Sequence, residues 1–138
     1  MTSTEAPADY HGRCLCGAVQ YRLSSPPKAV THCHCSQCRK GHGAAFASYA
    51  SVPRSSLHIS GEPEALNSYA SSPGVARQFC GRCGASLFWS NTQGAYADWV
   101  SIALGSLDTP FLAPRQKHLY VADKAPWHSI TDAWPQHD

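Results

Sequence analysis

A mainly β fold, built of small sheets fastened by zinc with few and short helices, is what this sequence predicts. Three observations carry that expectation. Apolar residues alternate along several short segments and nowhere sustain a helical repeat beyond about two turns. Ten glycines and ten prolines punctuate the chain. Seven cysteines are gathered in three tight groups, Cys14/Cys16, Cys33/Cys35/Cys38 and Cys80/Cys83.

The elements follow in order. Residues 1–11 show no periodicity and read as a flexible leader, residues 12–130 as one zinc-binding domain, and 131–138 as a polar tail. Val19, Tyr21 and Leu23 alternate with Gln20 and Arg22, the pattern of a half-buried strand. Pro26-Pro27 ends it, and Ala29 to Cys33 forms a second strand that delivers the central cysteines. Ala44 to Val52 reads as a strand stopped by Pro53. Leu57 to Ile59 and Leu66 to Tyr69, separated by Gly61-Glu62-Pro63, suggest a hairpin-like excursion. Val75 to Phe79 leads into Cys80 and Leu87 to Trp89 leads out, which places the Cys80/Cys83 pair on a strand-turn-strand knuckle. Val100, Ile102 and Leu104 alternate in a further strand, His118 to Val121 is the last, and Trp127 is expected to anchor the closing segment.

Bulk properties exclude several classes. A net charge of +2, scattered along the chain, argues against a nucleic-acid partner. No stretch approaches the ~18–20 apolar residues that cross a bilayer, so no membrane partner is expected. Met1 to Tyr10 lacks the basic start and apolar run of a secretory signal, which makes the cytoplasm the expected compartment. Thiols there are kept reduced, so grouped cysteines point to ligands or catalysts ahead of disulfides.

Zinc takes thiolates in a tetrahedron, and a structural site fills all four corners with protein. Cys14 and Cys16 pair best with Cys80 and Cys83, because each pair sits at a strand end followed by glycine, Gly17 or Gly84. Cys33, Cys35 and Cys38 offer three sulfurs, leaving one corner for water or substrate, the pattern of a catalytic zinc. Two ions per chain are expected, the second more readily lost. His32, His34 or His42 can alternatively close that corner, with His34 the weakest choice because alternation points it away from its cysteine neighbours. A metal-free redox trio beside Arg39 and Lys40, or a non-catalytic zinc-binding interaction module, are the other readings.

These residues resemble the glutathione-dependent formaldehyde-activating enzymes and their relatives, including the centromere protein V group. Gly12-Arg13-Cys14-Leu15-Cys16-Gly17 is similar to the family's opening motif, Cys33-His34-Cys35-Ser36-Gln37-Cys38-Arg39-Lys40 to its central one, and Arg77-Gln78-Phe79-Cys80-Gly81-Arg82-Cys83-Gly84 to its knuckle. His118 to Trp127 resembles its closing segment. The resemblance implies a β-tent fold, the same division of the cysteines into structural and catalytic sets, and carbon-sulfur lyase activity that joins glutathione to formaldehyde as S-hydroxymethylglutathione. The implied partner is a small thiol or thiol-aldehyde adduct, with glutathione as co-substrate and a monomer or homodimer as the assembly. His42 and Arg39 are the residues expected to hold the substrate or move its proton, and Tyr49, Trp89, Trp99 and Trp127 are read as core ahead of pocket wall.

Overall fold

The computed structural model describes residues 9–138. Most of the expected leader, residues 1–8, lies outside the described residues, whereas Tyr10 and His11 already belong to the first strand. Among the described residues, ten strands form two sheets. The smaller has the order β1-β2-β5, with β1 Tyr10–Arg13, β2 Val19–Leu23 and β5 Leu57–Gly61. The larger has the order β10-β3-β4-β9-β8-β7-β6, with β3 Val30–Cys33, β4 Ala47–Pro53, β6 Leu66–Ser72, β7 Val75–Cys80, β8 Ser86–Asn91, β9 Trp99–Ala103 and β10 Gln116–Leu119. All pairings are antiparallel except β10 with β3.

The alternation in β2 is realised as expected, with Val19, Tyr21 and Leu23 buried and Gln20 exposed. Those three pack with Val52, Leu87, Phe88, Val100 and Ile102 from the larger sheet in one core, which also takes in Cys14 and Cys80. Each fully buried aliphatic side chain of this kind stabilises by roughly 1.5–3 kcal/mol. Of the metal-ligand candidates, Cys14 and Cys80 are buried in this core and Cys83 packs against it.

Tyr21 lies opposite Gly12 in the β1–β2 register and sends its hydroxyl to Ser106 Oγ, 2.8 Å away. A Cβ on Gly12 would overlap the Tyr21 phenol and stand 2.7 Å from the Ser106 carbonyl oxygen. Gly12→Ala is expected to cost about 1–3 kcal/mol through this overpacking. Thermal unfolding checks it: the midpoint should fall by roughly 3–5 °C for each kcal/mol lost.

The expected hairpin between Leu57–Ile59 and Leu66–Tyr69 does not form. β5 joins β2 in the small sheet and β6 joins β7 in the large one. Pro63 opens a single 3₁₀ turn, Pro63–Ala65, whose Ala65 is buried in the core, so the chain crosses between sheets there. Nor does Trp127 anchor the closing segment. Its side chain is 72% exposed, while the small Ala125 is fully buried in its stead.

The last residues pack back on the fold. The His118 N–H donates to the Pro135 carbonyl at 2.8 Å, and the His137 N–H donates to the His118 carbonyl at 2.9 Å. β10 is the edge of the large sheet, and this return covers its unpaired backbone groups. Among the described residues, β1 at Tyr10 and the polar residues 131–138 therefore both make contacts with the sheets.

Candidate metal centres and the cleft at Cys33, Cys35 and Cys38

Cys14 and Cys16 sit in the turn between β1 and β2, Cys80 at the end of β7, and Cys83 in the turn before β8. Both turns close in the same way. The Cys14 N–H donates to Val19 O and the Cys80 N–H to Ala85 O, each at 3.0 Å, while Gly17 and Gly84 take positive φ of 82° and 79°. Glycine is the residue that adopts this conformation without steric penalty, and its use here turns backbone N–H groups onto sulfur. Val19 N–H donates to Cys14 Sγ at 3.3 Å and Arg82 N–H to Cys80 Sγ at 3.4 Å. Hydrogen bonding from the Ala85 backbone, then from Cys16, holds the Cys83 thiol down at about 6.

The four sulfurs lie within 4.8 Å of one another. Cys16 Sγ is 3.7 Å from both Cys14 Sγ and Cys80 Sγ. A tetrahedron with Zn–S distances of ~2.3 Å has edges of about 3.8 Å, so the donor set matches zinc in chemistry and spacing. This quartet ties the small sheet to the large one.

The second group forms at a strand-to-helix junction. Cys33 ends β3, and Cys35 is the N-cap of the one α-helix among the described residues, α1 (Ser36–His42). The Cys38 N–H donates to Cys35 Sγ at 3.3 Å, so one sulfur caps the helix that presents the next. Gly43, at φ 58°, closes the helix by donating its N–H to Arg39 O. Cys33, Cys35 and Cys38 Sγ also lie within 4.8 Å of one another, and no histidine or carboxylate joins them among the described residues. Both clusters can hold a metal ion. They share no cysteine, as the spacing predicted.

Arg77 on β7 faces the trio and was not singled out by sequence reasoning. Its Nη1 and Nη2 donate to Cys38 Sγ at 3.8 and 3.7 Å. Hydrogen bonding from Cys33, then from Arg77 and Cys35, outweighs burial and pulls Cys38 down to about 5. Cys33 is pushed well up by Cys38 and by burial. No short-range signal marked it, because Arg77 and Cys38 are 39 residues apart and meet only through the packing of β7. Outer partners of metal ligands typically contribute 10–100-fold in affinity. Arg77→Gln is expected to weaken metal binding at the trio by roughly that factor, read by competition with a chromophoric chelator, with the quartet unaffected.

The trio stands in the wall of a cleft of about 540 Å³, shared with Tyr49, Trp89, Tyr96 and Tyr120. Tyr49 and Trp89 therefore serve as wall, Tyr49 while only 7% exposed, whereas Trp99 and Trp127 take no part in it. His42 and Arg39 are not among the lining residues. His42 Nε2 instead shares a hydrogen bond of 2.9 Å with the Tyr49 hydroxyl, and Arg39 Nε donates to the His34 carbonyl at 3.3 Å. Burial, and then Cys38, raises the Tyr49 phenol far above its usual range.

His34 turns away from the cysteines, as alternation along the extended segment predicted, and His32, one of the candidates to close the zinc corner, is engaged elsewhere. His34 Nε2 meets His118 Nδ1 at 2.8 Å, and His118 Nε2 reaches the Asp132 carboxylate at 3.1 Å. His32 is taken by Ser48 Oγ and Gln116 Oε1, both at 2.8 Å. Burial, then the facing His118, lowers His34 to about 4.

Against this geometry, the family model for the glutathione-dependent formaldehyde-activating enzyme matches residues 9–123. The chain belongs to that family. Among curated proteins it is 29% identical over 126 residues to a putative glutathione-dependent formaldehyde-activating enzyme of Halomonas elongata, covering 86% of this chain and 79% of that one. It is 31% identical over 86 residues to an uncharacterized lyase of Schizosaccharomyces pombe, covering 62% of this chain; it spans 61% of that relative's length. The fold is shared with a solved Rhodobacter sphaeroides protein at TM-score 0.60 and 24% identity, covering 73% of this chain and 90% of the other. Membership of an enzyme family and the mainly β fold thus stand together, and no helix among the described residues is long and apolar enough to cross a membrane.

Proposed function

We propose that this chain is a zinc-dependent carbon-sulfur lyase that makes or breaks a thiol-aldehyde adduct, S-hydroxymethylglutathione being the example that the family's name supplies. The observation that carries it is the contrast between the two clusters. The quartet is complete in protein sulfur, while the trio opens on a cleft and has three. Cys33, Cys35 and Cys38 would hold the catalytic zinc, and Cys14, Cys16, Cys80 and Cys83 the structural one. When bound at the trio, zinc supplies Lewis acidity that stabilises a substrate thiol as its thiolate.

The reaction itself is an addition without oxidation or reduction. The thiol gives up its proton, its sulfur forms a bond to the aldehyde carbon, and the carbonyl π pair becomes an O–H on the adduct. The chain's residues make this favourable in three ways. Arg77, which lines the cleft beside Cys38, offsets the negative charge that thiolates accumulate there. The Tyr49 hydroxyl, kept protonated, can donate to the adduct when the His42 tautomer carries its proton on Nε2 and itself donates to the Tyr49 oxygen. Arg39 fixes the carbonyl of His34, and with it the turn between Cys33 and Cys35. In the cleft, thiol and aldehyde are held at close range with little water between them.

A cytoplasmic setting, where thiols stay reduced, suits ligands of this kind. The test is metal analysis together with nuclear magnetic resonance exchange between free thiol plus formaldehyde and their adduct. Two zinc ions per chain and faster exchange are expected. One closed zinc and no acceleration with any thiol would overturn the proposal in favour of a binding module.

A further inference from the structure

We propose that Asp132 is a positioning residue for the Cys33/Cys35/Cys38 centre: through His118 it sets the orientation of His34, and thereby the turn that aims Cys33 and Cys35 at one ion. The inference rests on the reading that the trio binds zinc and adds a determinant of how firmly it does so. It starts from three side chains linked from the surface to the interior. Asp132 comes from the closing segment, His118 from β10 and His34 from the turn between β3 and α1.

Both Asp132 carboxylate oxygens lie 3.1 Å from His118 Nε2, and His118 Nδ1 lies 2.8 Å from His34 Nε2. The two rings are buried, at 1% and 0% exposed. Desolvation raises the Asp132 carboxyl, but hydrogen bonds from His118 and the Trp134 N–H outweigh it and hold the group below its usual range, so it is a carboxylate at neutral pH. A carboxylate only accepts hydrogen bonds, so His118 Nε2 carries a proton. For neutral rings the rest of the order follows. His118 Nδ1 accepts, His34 Nε2 donates, and His34 Nδ1 is left as a bare lone pair.

That lone pair has no partner. His34 Nδ1 is, among the described residues, the one buried side-chain nitrogen or oxygen without a hydrogen bond. Leaving a buried acceptor unpaired is costly, so the ring's orientation is held against a penalty. The other polar groups of His34 are engaged. Its N–H donates to Leu119 O at 2.9 Å, its carbonyl accepts from Arg39 Nε at 3.3 Å, and Phe46 packs on the ring with centroids 4.8 Å apart. His34 stands between two of the three sulfur ligands. Successive side chains in an extended segment point to opposite sides, so a ring pinned on one side keeps the flanking Cys33 and Cys35 turned to the other. Without Asp132, the His118 Nε2–H loses its acceptor, the proton shared by the two rings can change sides, and the pin loosens.

The test is competition of the zinc-loaded full chain against a chromophoric chelator, which reads the trio and quartet ions as separate steps. Asp132→Ala is expected to weaken zinc at the trio by about ten-fold, the lower end of what outer partners of metal ligands contribute, with the quartet unchanged. Asp132→Asn should stay within about three-fold of wild type, because its amide oxygen still accepts from His118 Nε2. Gln136→Ala is the control. Gln136 bridges to His118 through its backbone, so this variant keeps the returning segment in place and should alter neither ion. Nitrogen chemical shifts of the histidines at about pH 8, above the ordinary histidine range, read the proton order independently of metal affinity. Both rings should carry the proton on Nε2 in wild type and in Asp132→Asn, whereas Asp132→Ala should show mixed forms. Unchanged trio affinity in Asp132→Ala would overturn the inference, as would equal weakening of both ions, which marks a general loss of stability, or a wild-type His34 protonated on Nδ1. Those outcomes touch the inference alone. A wild-type chain that holds only the quartet ion would overturn the zinc reading of the trio and this inference with it.

Discussion

Cys80→Ser is expected to abolish cooperative folding. Cys80 is fully buried, belongs to the main core and places its sulfur 3.7 Å from that of Cys16 across the two sheets. A structural zinc contributes about 10–16 kcal/mol of apparent binding free energy in small zinc-dependent folds. A domain of this size has a total stability of about 5–15 kcal/mol, so losing one ligand removes as much as the fold possesses. The substituted hydroxyl is a poor zinc donor and is left in an apolar environment. Circular dichroism should show no sharp thermal transition, and metal analysis should show loss of the quartet ion. Retention of a full-amplitude transition near the wild-type midpoint would mean that the quartet does not hold the fold together.

Cys35→Ser is expected to leave the fold intact and to abolish turnover. Cys35 acts locally as the N-cap of α1, a role serine fills at least as well, because its hydroxyl can accept the Cys38 N–H that the sulfur accepts now. The trio packs in a small cluster with Ala47, Tyr49 and Trp89, apart from the main core. Its sulfur, however, is one of only three donors. The loss in adduct exchange rate should exceed the roughly 10–100-fold that removal of an outer-shell partner produces. Thermal unfolding should stay within a few degrees of wild type. Should Cys35→Ser and Cys80→Ser unfold alike, both clusters would be structural and the cleft would lose its chemistry.

The grouping of the cysteines into two sets was legible from their spacing, since ligand pairs separated by one or two residues are constrained by the chain itself. Glycine after Cys16 and after Cys83 was legible for the same reason, because the turn that points N–H groups at sulfur requires positive φ at that position. The orientation of His34 followed from strand alternation. Arg77, by contrast, meets Cys38 only because β7 brings it across from a distant part of the chain. Tyr49 looked like core and is core, yet it also lines the cleft. The hairpin expectation failed at Pro63, where local turn signals could not say which sheet each strand would join.

By itself the sequence determined the two sulfur sets, the mainly β character and the family, all of which depend on residue type at short range. Tertiary structure alone decided that the trio opens on an aromatic cleft, that Arg77 in its wall faces Cys38, and that residues 131–138 close the sheet edge. Those are properties of surfaces assembled from segments tens of residues apart. Their charge and shape exist only once the strands have packed.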